Sequence, residues 1–360
     1  MPFFTFIVAF AVMSSGIASA STLARAFAGD YLSEFVDLPL VLAAIAFILV
    51  LAAINMRGIA ASVKLNLVLT TIEVMGLLLI VIIGVAALGE GSGDFSRNIE
   101  FKEGESVVAA IVGGTALSFY AMIGFEDSVN VAEETKRPSV IFPRALFTGI
   151  AIAGTLYLLV TLAASYVVPT DRLAGSDAPL LKVVETGPLG ISTRLFAFIA
   201  LTAVANSALI NMIMASRVVY GMADQGIVAR LFARVLPQRR TPFAAIAFTT
   251  AIAVVLISTG DLSTLADTTV VLLLFVFTTV NVAVLVQRRD RVDHHHFHAP
   301  SVFPVLGALV SIALLADTAL DDAGVFARAG ILLAVGAALW LVNRLLAGPP
   351  EDLEVERLGG

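Results

Sequence analysis

GGTALSFYAMIG (residues 113–124) runs without a gap into FEDSVNVAEETKRPSVIFPRA (residues 125–145). The first half is apolar and aromatic enough to enter a membrane. The second opens on two adjacent carboxylates, Glu126 and Asp127. In hydrocarbon an unsatisfied peptide group is expensive, so irregular backbone survives there only where protein or a water-filled cavity surrounds it. A Gly-interrupted span therefore points to a solute site inside a bundle of membrane helices. The competing reading is structural: Gly113, Gly114 and Gly124 let neighbouring helices approach closely.

The rest of the chain suits that setting. Hydrophobic residues make up 59% and charged residues 14%, whereas a soluble domain carries roughly 25% charged. Apolar runs long enough to span fall at residues 3–24, 38–54, 65–88, 107–126, 145–168, 192–215, 243–258, 265–286, 302–316 and 325–346, the second, seventh and ninth being short. Alternating-polarity segments are absent, which excludes an outer-membrane barrel. The fold class read here is an all-α integral membrane protein of about ten transmembrane helices. One membrane domain covers residues 1–347, and the polar tail 348–360 is read as disordered. The first run lacks a basic leading segment and outruns a signal peptide's apolar core, so it reads as a true span. With no Cys, disulfide and thiolate chemistry are excluded. A net charge of −6 does not favour nucleic acid.

Cytoplasmic loops collect Lys and Arg. Of the 22 such residues, fifteen lie in the loops after even-numbered spans, among them Arg57, Arg144, Arg230, Arg239 and Arg288. Both termini are accordingly expected inside, at the cytoplasmic membrane. The outer segment 177–187, DAPLLKVVETG, reads equally well as a short surface helix or a solvated loop. Arg230, Arg234, Arg239 and Arg240 read as topology signals that touch anionic lipid.

Two stretches carry a resemblance. One holds Ile123-Gly124-Phe125-Glu126, then Ala132-Glu133-Glu134, then Pro138 and Pro143-Arg144-Ala145. The other is NMIMASRVVYGMADQGIVARLFARVLPQRRTP, residues 211–242, supported by NMRGIAASVKLN (55–66) and FHAPSVFPVLG (297–307). Together they resemble the amino acid–polyamine–organocation permeases, the first stretch being similar to that family's sixth helix and the second to its eighth. The resemblance implies a five-plus-five inverted-repeat fold and secondary transport of amino acids or related organic cations by alternating access, through proton-coupled symport or exchange. It also implies twelve spans. The run 3–32 resembles the third, so the first two are expected to be missing, through a mis-assigned start or a truncated gene. One of them carries the family's Gly-rich unwound segment, which leaves the repeat incomplete. The alternative that follows is a transport-inactive membrane protein or a solute sensor. The implied partners are a small-molecule substrate such as an amino acid, a proton or an exchanged solute, and membrane lipid.

If the fourth span unwinds near residues 120–124, backbone groups of Tyr120, Ala121, Met122, Ile123 and Gly124 face a central cavity. A half-helix starting at Phe125 would aim its positive end at an anion such as a substrate carboxylate. Phe119 and Tyr120 supply rings that could cover a bound side chain, and the resemblance implies a gating aromatic here. Glu126 and Asp127 are either first-turn carboxylates that stabilise the new helix or groups that titrate during the cycle. Glu73 lies nine residues past Lys64, ~13 Å into the membrane. An acid there faces a cavity or a partner, so Glu73 and Glu126 are the proton-coupling candidates. The competing reading for Glu73 is a structural carboxyl bonded to a neighbouring helix. Ser14, Ser15 and Gly16 either line the cavity or allow tight packing. Asn206, Ser207, Asn211, Thr278, Thr279 and Asn281 bridge helices by default. By the resemblance, Ser15, Asn211 and Thr278 lie on faces that border the substrate.

His294, His295, His296 and His298 sit among loop charges without ligand spacing, so no metal is expected. No phosphate-binding GxxxxGK[ST] occurs, and no Ser, His and Asp converge in a nucleophile motif. No cofactor and no enzymatic chemistry are expected.

Overall fold

The structure, a computed structural model, describes residues 3–58, 63–101, 106–126, 128, 135–236, 238–239, 241–288, 299–321 and 323–347. Among these residues there is no strand. Each of the ten apolar runs forms a helix: α1 Phe3–Ala26, α2 Leu40–Arg57, α3 Val63–Glu90, α4 Val107–Met122, α5 Pro138–Val167, α8 Thr193–Asp224, α9 Phe243–Thr259, α10 Leu262–Gln287, α11 Val302–Asp321 and α12 Ala323–Ala347. Two shorter helices, α6 Thr170–Ala174 and α7 Pro179–Thr186, lie between α5 and α8. Among the described residues eight helices are long and apolar enough to cross a membrane, while α4 and α9 are apolar but shorter.

Local chemistry sets the ends. Pro39 precedes α2, and Gly58 closes it in the left-handed region at φ 71, where only a residue without Cβ is unstrained. Helix α5 begins at Pro138, seven residues before the apolar run, because Pro at the first helical position loses no bond. Helix α8 runs nine residues past the apolar stretch, through Ser216 and Arg217, before Gln225 ends it. That extension packs against the rest of the protein, with Ser216, Val219, Met222 and Ala223 buried. The 177–187 segment resolves as helix over Pro179–Thr186, its Leu181, Val183 and Val184 buried.

Packing centres on α1. Phe6, Phe10, Met13 and Ile17 are fully buried, in a core shared with α2, α8, α9, α10 and α12. A second core joins α3, α5, α7 and the start of α8 around Ile80, Ile83 and Leu181. A third sets the α4 residues Phe119, Tyr120 and Val112 on Val270 and Leu274 of α10 and Leu314 of α11. Small residues allow the closest approaches. A Cβ on Gly84 would meet Ala163 Cβ at 2.5 Å, and one on Gly336 would meet the Phe10 ring at 2.5 Å. Such contacts replace the hydrophobic drive that lipid does not supply. The C-terminal end of α1 turns into a π-helical segment at Phe27–Tyr31, where Gly29 departs from helical geometry with ψ −140.

Candidate functional site

Helix α4 ends where the sequence places its interruption. Ile123 is extended at φ −68 and ψ 154, and Gly124 takes φ +115, a region in practice reserved for glycine. The Gly124 N–H donates to Oε2 of Glu126 at 2.8 Å. A backbone donor freed by the break is thus satisfied by the acid two residues on. Phe125 and Glu126 continue as a 3-10 turn, and the Ser128 hydroxyl donates to the Phe125 carbonyl. The half-helix expected beyond Phe125, Asp127, residues 132–134, the four histidines and the tail 348–360 lie outside the described residues.

A cavity of about 70 Å³, room for a few waters, opens beside this break. Ser15, Gly16 and Ser19 of α1 line one wall, Asn211 and Met214 of α8 another, and Thr269 and Leu273 of α10 a third; Ile123 and Glu126 close it. Four elements far apart in sequence converge here because α1 is wrapped by α8 and α10. Long-range bonds fix the geometry: Asn211 Nδ2 donates to Ser19 Oγ at 3.1 Å, and the Tyr120 hydroxyl faces Ser19 and Thr22. The Ser15 hydroxyl donates to the Val12 carbonyl at 2.7 Å, and that of Thr269 to the Leu265 carbonyl at 3.1 Å.

Of the predicted site residues, Ser15, Asn211, Ile123 and Glu126 come together in this cavity. Tyr120 reaches it indirectly, through Ser19. Phe119 stands edge-on to Phe277 with ring centroids 5.7 Å apart, and Phe125 stacks on the same ring at 5.5 Å. Ala121 and Met122 face the other way. With Ile123, Phe125, Gly149 and Tyr157 they line a second cavity of about 450 Å³ between the break and α5. Thr278 lines neither cavity; its hydroxyl donates to the Leu274 carbonyl of its own helix at 2.8 Å. Glu73 is also absent from the central cavity. It is half-buried on α3, close enough to Tyr157 of α5 for its charge to be felt there. Gly113, Gly114 and Gly124 would each meet no described atom within 4 Å if given a Cβ. Close helix packing within the described residues does not explain them.

Ser19 and Thr269 escaped the sequence reading. Ser19 is one helical turn beyond Ser15, so the i, i+4 spacing was available as a signal. Thr269 sits in the run Thr268-Thr269, and nothing local separates it from Thr278 and Thr279.

Just after the C-terminal end of α9, Asp261 caps α10. Its Oδ1 accepts from Thr264 N–H at 2.8 Å, and Thr264 returns the bond to Asp261 N–H. These bonds, that from the Thr264 hydroxyl foremost, hold the carboxyl below its ordinary pKa. Asp94 is held down similarly by Ser96.

The amino acid permease family matches residues 1–339. A branched-chain amino acid permease of Bacillus subtilis is 26% identical over 273 residues, which are 75% of this chain and 57% of that protein. A methylthioribose transporter of the same organism is 27% identical over 74% of this chain and 57% of its own length. A low-affinity putrescine importer of Escherichia coli is 26% identical over 75% of this chain and 61% of its own. The chain thus spans about three fifths of the length of these relatives. An all-helical bundle with a broken fourth span and a family match over almost its whole length lead to one conclusion: this multi-pass membrane protein belongs to the amino acid permease family of the amino acid–polyamine–organocation superfamily, a family of permeases and not of enzymes.

Proposed function

We propose that the chain forms the core of a secondary transporter for amino acids or related organic cations. It works by alternating access around the break after α4, in the cytoplasmic membrane, with both termini inside. The observation that carries this reading is the conjunction of a glycine at φ +115 with a polar-lined cavity on α1, α8 and α10. Relatives named for amino acid, methylthioribose and putrescine transport support the substrate range. Ser15, Asn211 and the break residues Tyr120–Gly124 are assigned to substrate, Phe119 to covering it, and Thr278 to the wall behind. Glu73 and Glu126 are assigned to proton coupling in symport or exchange.

The experiment is uptake of radiolabelled amino acids and amines into membrane vesicles by Gly124→Leu beside the wild type. The expected result is loss of uptake with normal insertion, since a side chain is strained at that φ whatever the space. Unchanged kinetics would remove the break from the site. A second reading, solute binding without transport, draws on α4, where a Cβ added to Gly113 or Gly114 would meet no described atom within 4 Å. Binding without accumulation in the same vesicles would favour it.

A further inference from the structure

We propose that a groove between α2 and α9 binds one anionic phospholipid, with an acyl chain laid along the two helices and the phosphate held by Arg57 and Arg239. On α2 the groove is lined by Leu49, Ala52, Ala53 and Met56, and its volume is about 510 Å³. On α9 it is lined by Ala247, Thr250, Ala251 and Val254. Each set falls at i, i+3, i+4 and i+7, which is one face of one helix. The groove therefore follows the helices for ~10 Å. Ala52 and Thr250 form a buried floor, and Ala53, Ala247 and Ala251 lie exposed along it. Val50 and Val255 stand exposed on the flanks. The Thr250 hydroxyl donates to the Ile246 carbonyl at 2.6 Å, so the floor has no free donor and suits hydrocarbon.

Charge decides the head. Helix α2 ends at Arg57, next to Met56 at the end of the groove. The loop that precedes α9 folds back onto this helix end. The Leu236 N–H donates to the Thr241 carbonyl at 2.9 Å, and the Thr241 hydroxyl donates to the Met56 carbonyl at 2.9 Å. A Cβ on Gly58 would meet the Arg239 carbonyl at 3.8 Å. Arg239 is thereby held beside the end of α2. Arg57 and Arg239 are both exposed, and among the described residues neither guanidinium has a hydrogen-bond or salt-bridge partner. Neighbouring cations repel unless an anion lies between them, and a phosphate takes arginine in paired, charge-assisted bonds. Basic pockets between membrane helices collect anionic headgroups in this way. A zwitterionic head would bring its own ammonium into the same positive field. None of the groove residues lines the central cavity, so the inference stands apart from the transport reading.

The test is thermal unfolding of the purified full chain in detergent, with dioleoylphosphatidylglycerol, dioleoylphosphatidylcholine or glycerol phosphate added, and with the mass of the lipid-free protein measured by light scattering. A ligand that binds only the folded state raises Tm with its concentration. Phosphatidylglycerol is expected to raise Tm saturably, and phosphatidylcholine of the same chains to raise it little. Arg57→Gln with Arg239→Gln is expected to cut the phosphatidylglycerol shift to the phosphatidylcholine level, whereas Arg57→Lys with Arg239→Lys keeps it above that level. Ala251→Phe, which fills the groove from its exposed rim, is expected to lose the shift; Ala53→Phe makes the same test from α2 if that variant fails to fold. The inference is overturned by equal shifts with the two lipids, by an undiminished shift in the Gln pair or in the Phe variants, or by a shift as large with glycerol phosphate alone. A lipid-free dimer that Ala251→Phe dissociates also overturns it, since the occupant is then a second copy of the chain.

Discussion

At the scale of single residues, two carboxyls divide the polar work of the membrane interior. Glu126 holds the broken backbone through the Gly124 N–H at 2.8 Å and faces the cavity. Glu73 lies away from it on α3, toward Tyr157 of α5. An acid in a span is retained against its cost only with a partner or a task, and among the described residues none forms a hydrogen bond with the Glu73 carboxyl. Glu73→Gln is therefore predicted to abolish accumulation driven by a pH gradient while leaving exchange down a solute gradient measurable. Equal accumulation by the two proteins in vesicles under an imposed gradient would end the coupling role. The presence of both acids was legible in the sequence, because charge inside an apolar run stands out. Their separation was not, since it depends on which face of α3 meets α5. Ser19 and Asn211 show the same limit: they are 192 positions apart, and only the packing of α1 on α8 brings them together.

At the scale of elements, end chemistry and small-residue contacts supply the predictions. The reciprocal bonds of Asp261 and Thr264 start α10. Asp261→Ala is predicted to lower stability by about 1 kcal/mol, as for other N-caps, measured by denaturant or thermal unfolding. Because the folded-state pKa of Asp261 lies below its ordinary value, its contribution is full above that ordinary value and is lost as pH falls through the depressed one. The alanine variant should lack this acid-side component, so the gap between the two proteins should close in strong acid. A gap that stayed constant would mean that the carboxylate charge is irrelevant to the cap. Gly84 abuts Ala163, whose Cβ would lie 2.5 Å from a methyl added there. Gly84→Leu should force α3 from α5 at a cost of ~1–3 kcal/mol, seen as a lowered Tm; an unchanged Tm would show that the two helices do not bear on each other there. Helix existence was legible throughout, since each apolar run became a helix. The ends of α5 and α8 were not, because hydropathy marks where the apolar run stops while a helix continues through mixed sequence until a cap stops it, as Gln225 does for α8.

At the scale of the whole molecule, α1 is the hub on which α8 and α10 close, and the α4 break is presented to the space between them. That arrangement accounts for a polar cavity inside a chain whose composition is 59% hydrophobic. The break itself was legible in the amino-acid sequence, since Gly124 ends an aromatic stretch and an acid follows two residues later. The role of the break was not, because it turns on where one side chain points. The freed donor is met by Glu126, so the Gly124 N–H is not left open to a solute. The central claim remains transport through this bundle. Its most direct test is time-resolved uptake of radiolabelled amino acids and amines by the purified chain in liposomes under an imposed pH gradient. The account predicts saturable accumulation of at least one compound above empty liposomes, lost in Gly124→Leu. Uptake equal to that of empty liposomes for every compound, by correctly inserted protein, would contradict it.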